Sequence, residues 1–313
     1  MEFADRLKEA VCRRGNPVVV GLDPRPEEFP PGLLDGYPGT RQGVAAAIER
    51  FGREILEVVA PLVPAVKFQS AYYEAYGPEG LTALEATIRH AKSLGLIVIF
   101  DGKRNDIGST AEAYARAYLG KVPVGGAFEA AWDVDAVTVN PYLGADGVAP
   151  FVKIAARDHK GVFLLVRTSN PSAGDLQDLV AGGEPVYRHV ARKLLNWTDG
   201  HRGTSGYHAL GAVVGATYPK QLAELRQLLP GILFLIPGYG SQGANASEIA
   251  PAFDPDGFGA IVNNSRGIIF AYTNPRYRDE SAGHWTDAVR AAVLEMIEDL
   301  AEKTPAGRLR SSK

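Results

Sequence analysis

The sequence predicts an α/β fold, a closed (β/α)8 barrel, and three observations carry that expectation. Short runs rich in Val, Ile or Phe recur eight times, helical patterns fall between them, and 313 residues is a length typical of such barrels. An open doubly wound sheet is the alternative that the same alternation allows.

The elements follow in order. MEFADRLKEAVCRRG at the amino end reads as an amphipathic helix; it carries acids and lacks the apolar stretch of a secretory signal. Strands are expected at 17–22 (PVVVGL), 64–68 (PAVKF), 96–101 (LIVIFD), 135–140 (DAVTVN), 161–167 (GVFLLVR), 210–216, 232–237 and 259–263, mostly bounded by Gly or Pro. Helices are expected at 43–60, 78–95, 109–119, 145–157, 185–197, 219–229 and 284–302. Ser109 with Glu112 three positions on suggests a capping box at the start of 109–119. Segments 24–42 and 170–182, rich in Pro, Gly and Asp, read as insertions between strand and helix, where substrates bind. Residues 1–303 form one TIM-barrel domain in this reading, and the basic, aperiodic 304–313 is expected to be a disordered tail.

Composition narrows the function classes. Hydrophobic residues make up 46% and charged residues 22% of the chain, which suits a soluble protein with a sizeable core. Lys and Arg total 33 against 36 Asp and Glu, a formal net charge of -3, so neither nucleic acid nor an anionic membrane is an expected partner. Cys12 is the only cysteine, which excludes an internal disulfide and a cysteine-based metal cluster within one chain and fits a reducing cytoplasm. No segment approaches the roughly 20 apolar residues of a membrane span.

Residues 97–110, IVIFDGKRNDIGST, break the rule that a strand buried in a parallel sheet stays apolar. Asp101 and Lys103 lie two apart and share a face if the extended geometry persists, and Asp106 follows. Lys67 ends the preceding strand. On neighbouring strands these charges converge at the C-terminal mouth, where barrel active sites lie. Each charge alone has a plain explanation: a surface ion pair worth about 0–1 kcal/mol, or for Lys67 a snorkelling side chain. Their conjunction does not. A second constellation follows strands seven and eight: PGYGSQG (237–243) and NNSRG (263–267), the fold's recurrent phosphate site, with Arg266 as a bidentate cation.

The ordered motifs FDGKRNDIGSTA, PGYGSQG and NNSRGI, with Lys67 upstream, resemble the orotidine 5′-phosphate decarboxylase family in its longer bacterial subgroup. The resemblance runs from GLDPRP at 21–26 to RGIIFA at 266–271. It implies a carboxy-lyase that makes UMP and CO2 from orotidine 5′-phosphate (OMP) in de novo pyrimidine synthesis, with no metal or organic cofactor, as a homodimer whose sites share residues. By the same resemblance Lys67, Asp101, Lys103 and Asp106 form a catalytic network, Lys103 donating the proton and Asp106 serving the partner's site. Asp23 binds ribose and Thr110 does so from the other chain. Ser169 reads the pyrimidine amide edge, Gln242, Arg266 and the Gly267 backbone grip phosphate, and Ile107 and Pro237 wall the pocket. Tyr239, Asn263 and Asn264 depart from the family pattern.

Those residue types suit the chemistry. Loss of CO2 from C6 leaves an sp2 carbanion that the ring delocalises poorly, and an ammonium at 4 Å contributes roughly 4 kcal/mol at an effective dielectric of 20. Two rivals share parts of the pattern. A related sugar-phosphate barrel lyase would use Mg2+, against which the apolar Ile107 argues; a non-catalytic nucleotide-binding barrel would have no use for carboxylates beside an anionic ligand.

Overall fold

The computed structural model describes residues 1–198, 202–240, 245–277 and 284–312. Eight parallel strands close into a barrel: β1 (Val18–Leu22), β2 (Ala65–Gln69), β3 (Ile97–Arg104), β4 (Ala136–Val139), β5 (Gly161–Arg167), β6 (Leu210–Val214), β7 (Phe234–Ile236) and β8 (Ala260–Asn264). Each strand pairs with its sequence neighbours, and β8 returns to β1 with Val18 opposite Val262. Seven strands lie within a residue or two of the positions that β-branched runs predict, because strands covered on both faces must be apolar throughout, while β3 runs three residues past its predicted end, to Arg104.

The main outer helices are α1 (Phe3–Arg14), α2 (Arg41–Val59), α3 (Gly77–Ser93), α4 (Gly108–Tyr118), α5 (Ala145–Asp158), α6 (Val186–Trp197), α7 (Pro219–Leu228) and α8 (Trp285–Lys303). α2 shows why they form. Thr40 Oγ1 accepts from Gly43 N at 3.2 Å as an N-cap. Ile48, Phe51, Ile55 and Val59 then repeat at helical spacing and are buried. α1 packs at the amino ends of the strands, where the Phe3 ring meets Phe163 edge-on at 6.0 Å.

Several expectations are corrected. α4 begins at Gly108 with Ile107 as its N-cap and no side-chain cap, so Ser109 falls inside the first turn and forms no capping box. Residues Pro305–Ser312 are not a disordered tail: they form a 3-10 helix with Ala306 and Leu309 buried and Arg310 paired to Glu298 at 2.8 Å. Two apolar side chains in a basic segment suffice to dock it. Two small antiparallel hairpins, Val122–Val124 with Ala127–Glu129 and Val180–Ala181 with Glu184–Pro185, were not anticipated. Each turns on a Gly-Gly pair at positive φ, a signal present in the sequence. Among the described residues no helix is long and apolar enough to cross a membrane.

Candidate active site

β3 delivers its charges through a distortion, not through regular alternation. Phe100 sits opposite Val137 but Arg104 opposite Val139, so β3 carries extra residues in a bulge at Asp101–Lys103. A side chain at Gly102 would meet the Phe100 ring at 2.3 Å, which leaves glycine as the residue that fits. Lys103 adopts φ 45°, the left-handed region that costs a non-glycine residue energy. Its backbone N–H donates to Thr138 Oγ1 at 2.9 Å. Outside the bulge, Arg104 is clamped to Glu74 at 2.6 Å and to the Tyr118 hydroxyl at 2.9 Å.

Asp101 is the hub. Its Oδ2 accepts from Lys67 Nζ at 2.7 Å and Gln69 Nε2 at 3.2 Å. Its Oδ1 accepts from Lys103 Nζ at 2.8 Å and from the Thr138 hydroxyl at 2.8 Å. A carboxylate offers about four acceptor sites, and these are all engaged. Burial alone would raise the Asp101 carboxyl, but the charges of Lys67 and Lys103 and their hydrogen bonds outweigh it and hold the group well below the usual carboxylate range. Lys67 is the mirror case. Burial would strip its proton, whereas Asp101, helped by Asp23, keeps its pKa above the ordinary lysine value. The two ammonium groups differ in access: the Lys67 side chain is 5% exposed, Lys103 45%, so Lys103 is the one more open to a ligand and to proton exchange with solvent.

These groups line a cavity of about 550 Å3 at the carboxyl ends of the strands, together with Asp23, Ser169, Pro237 and Arg266. Leu165, Val213 and Leu235 supply apolar wall beside them. Asp23 Oδ1 is buried without a hydrogen-bond partner, an acceptor held ready for a donor that a ligand must bring. The cavity thus has a charged end on β2 and β3, an apolar middle, and a cation after β8.

The other predicted residues lie apart. Asp106 Oδ1 accepts from the next residue's own N–H at 2.8 Å, and Ile107 and Thr110 are exposed, none of them lining the cavity. Ile107 is therefore no wall of this chain's own pocket: it borders a surface cleft with Asp146, Lys153 and Arg157. Gly267 lies behind the cavity, facing a second cleft with Asn264 and Tyr239. Gln242 lies outside the described residues. Thr138 and Gln69 went unnoticed in the sequence because a polar residue in a strand signals only a face. Asn263, buried with Oδ1 unpartnered at the cavity wall, carried the same weak signal.

A profile of the orotidine 5′-phosphate decarboxylase / HUMPS family matches residues 16–281. Orotidine 5′-phosphate decarboxylase of Rhodopirellula baltica is 48% identical over 304 residues, covering 96% of this chain and 99% of that one. The enzyme of the same name from Caldicellulosiruptor bescii is 39% identical, covering 89% and 93%. The solved OMP decarboxylase of Leishmania donovani superposes with a TM-score of 0.73 at 31% identity, covering 97% and 99%. The Plasmodium berghei orotidine 5′-monophosphate decarboxylase, at 15% identity and a TM-score of 0.76 over 96% of this chain and 99% of that one, shares the fold.

Proposed function

The chain belongs to the orotidine 5′-phosphate decarboxylase / HUMPS family, and from that premise we propose how its cavity turns OMP into UMP and CO2. The activity is that of a carboxy-lyase in pyrimidine biosynthesis. Arg266, with Gln242, holds the phosphate; Asp23 accepts from a ribose hydroxyl; Ser169 reads the base edge; and Pro237 lies against the ring. The substrate carboxylate then meets Asp101, and C6 meets Lys103. The C6–carboxylate bond breaks, CO2 departs, and the electron pair left on C6 is stabilised by the Lys103 ammonium before taking one of its protons. Solvent restores that proton.

The observation that carries this reading is Asp101 held ionised between two ammonium groups, one buried and one exposed. It also argues against a metal-dependent sugar-phosphate lyase. With Lys67, Gln69, Lys103 and Thr138 on its two oxygens, Asp101 has no acceptor site left for a divalent cation. A purely binding barrel is disfavoured on cost, since a buried carboxylate beside an anionic ligand weakens binding unless it serves the reaction.

Asp106, Ile107 and Thr110 stand together on the surface at the start of α4, away from their own cavity, which supports a homodimer in which this segment completes the partner's site. A cytoplasmic setting fits the lone Cys12. The deciding experiment is conversion of OMP by EDTA-treated protein, followed by absorbance. Turnover without added metal is expected; turnover that appears only with Mg2+, or only on a sugar phosphate, overturns the reading.

A further inference from the structure

The insertion after β5 contains a hydrogen-bond chain whose direction is set by a permanent charge. Arg167 is 1% exposed, its guanidinium stacked 4.0 Å over the Tyr218 ring. Guanidinium only donates, so the Gln177 oxygen must face it, and Oε1 accepts from Arg167 Nη1 at 3.1 Å and from Thr168 N at 2.9 Å. The Gln177 amide nitrogen then donates to Thr168 Oγ1 at 2.7 Å. That hydroxyl's one proton is donated onward to Asn170 Oδ1 at 2.6 Å. Asn170 lines the cavity next to Ser169, and its side chain does not cap the 3-10 helix Pro171–Ala173 that it precedes. With its oxygen occupied, the face it offers to the cavity is its NH2 group.

We propose that Asn170 is a base-binding residue that donates to a carbonyl oxygen of the pyrimidine, and that Gln177 is a positioning residue which fixes the polarity of that donor. This rests on the OMP decarboxylase reading of the cavity and extends it to the 170–182 insertion. The ring carbonyl is favoured over the phosphate because the donor follows β5, beside the base-reading Ser169, whereas Arg266 follows β8.

The test measures binding of two probes, UMP and ribose 5-phosphate, to the full chain. Asn170→Ala should weaken UMP about 10-fold, the effect of one lost hydrogen bond, and leave ribose 5-phosphate unchanged. Gln177→Glu keeps an acceptor toward Arg167 but replaces the donor toward Thr168 by a second acceptor, so the Thr168 hydroxyl turns away from Asn170. Its new carboxylate pairs with Arg167, which favours folding, and thermal unfolding checks that. Gln177→Glu should reproduce the UMP loss, and the double variant should lose no more than either single one. Unchanged UMP binding in Asn170→Ala overturns the proposal. So does an equal loss for ribose 5-phosphate, which would place the contact on the phosphate, or additive effects, which would break the relay. A wild-type protein that neither binds UMP nor decarboxylates OMP would instead overturn the underlying assignment.

Discussion

Lys103 holds φ 45° while its Nζ stands 2.8 Å from Oδ1 of Asp101, two residues earlier on the same strand. The bulge places the lysine backbone in a region that L-residues avoid, at a cost of order 1–3 kcal/mol. Thr138 and Arg104 hold it there from either side of the strand. A strained backbone that brings an accessible ammonium onto a buried carboxylate is stabilised elsewhere in the fold and used here, at the proposed reacting centre.

Lys103→Ala removes the more exposed ammonium of the pair. We expect kcat to fall by at least about 10^3-fold, because the charge acts mainly as the carbanion forms. UMP should still bind, since Arg266, Asp23 and Ser169 are untouched. Single-turnover kinetics and UMP titration check this; lost UMP binding with residual turnover near wild type contradicts the role.

Asp101→Asn leaves Lys67 buried without its main partner. Breaking a buried pair from one side costs about 3–5 kcal/mol, so both activity and stability should drop. The pH dependence has a defined sign. The lowered pKa of Asp101 contributes stability that is present above the ordinary aspartate value of 3.8 and lost as pH falls through the lowered one. The raised pKa of Lys67 contributes stability present below the ordinary lysine value of 10.5 and lost as pH rises through the raised one. Wild-type stability from this pair should therefore be flat between those limits and fall beyond each. In Asp101→Asn, by contrast, burial pulls the Lys67 pKa down, so the gap to wild type in denaturant unfolding should widen as pH falls below 10.5. A gap that stayed constant across that range would contradict the pairing.

How much of this was legible follows from what each residue costs. Charged residues at the end of an apolar strand are expensive unless used, so Asp101 and Lys103 stood out, and Lys67 with them. Thr138 did not, because a threonine inside DAVTVN costs a strand nothing. The bulge was also invisible: alternation correctly paired Asp101 with Lys103 but for a different geometric reason, since the backbone between them is not extended. Ser109 failed as a cap because the helix starts one residue before it. Ala306 and Leu309 are two apolar residues without a period, too few to announce a docked helix.

Thr138→Val keeps shape and removes the hydroxyl that accepts from Lys103 N and donates to Asp101. Hydrogen bonds to charged groups contribute about 1.5–3 kcal/mol, so kcat should fall roughly 10- to 100-fold with KM little changed. A change confined to KM would mean that Thr138 touches substrate and does not act through Lys103.

Arg266→Ala removes the cation after β8. For a bidentate charged contact worth about 3 kcal/mol, KM should rise roughly 100-fold, with a smaller loss in kcat if phosphate binding also helps align the base. Ribose 5-phosphate should lose affinity by the same factor as UMP. An unchanged KM removes Arg266 from the phosphate site.

The placement of Asp106 makes the sharpest test of a shared site. Within one chain its carboxylate only accepts from the neighbouring Ile107 N–H, outside the cavity that holds Lys103. If it serves the partner, Lys103→Ala and Asp106→Ala are each inactive alone, yet a mixed dimer has one site with both residues intact and one with neither. Equal mixing with free subunit exchange gives half mixed dimers, so about a quarter of wild-type activity should return, as expected for a two-fold dimer. An assay of the variants before and after mixing reads this directly, with sedimentation confirming the dimer. No recovery in a mixture shown to exchange would return Asp106 to its own chain.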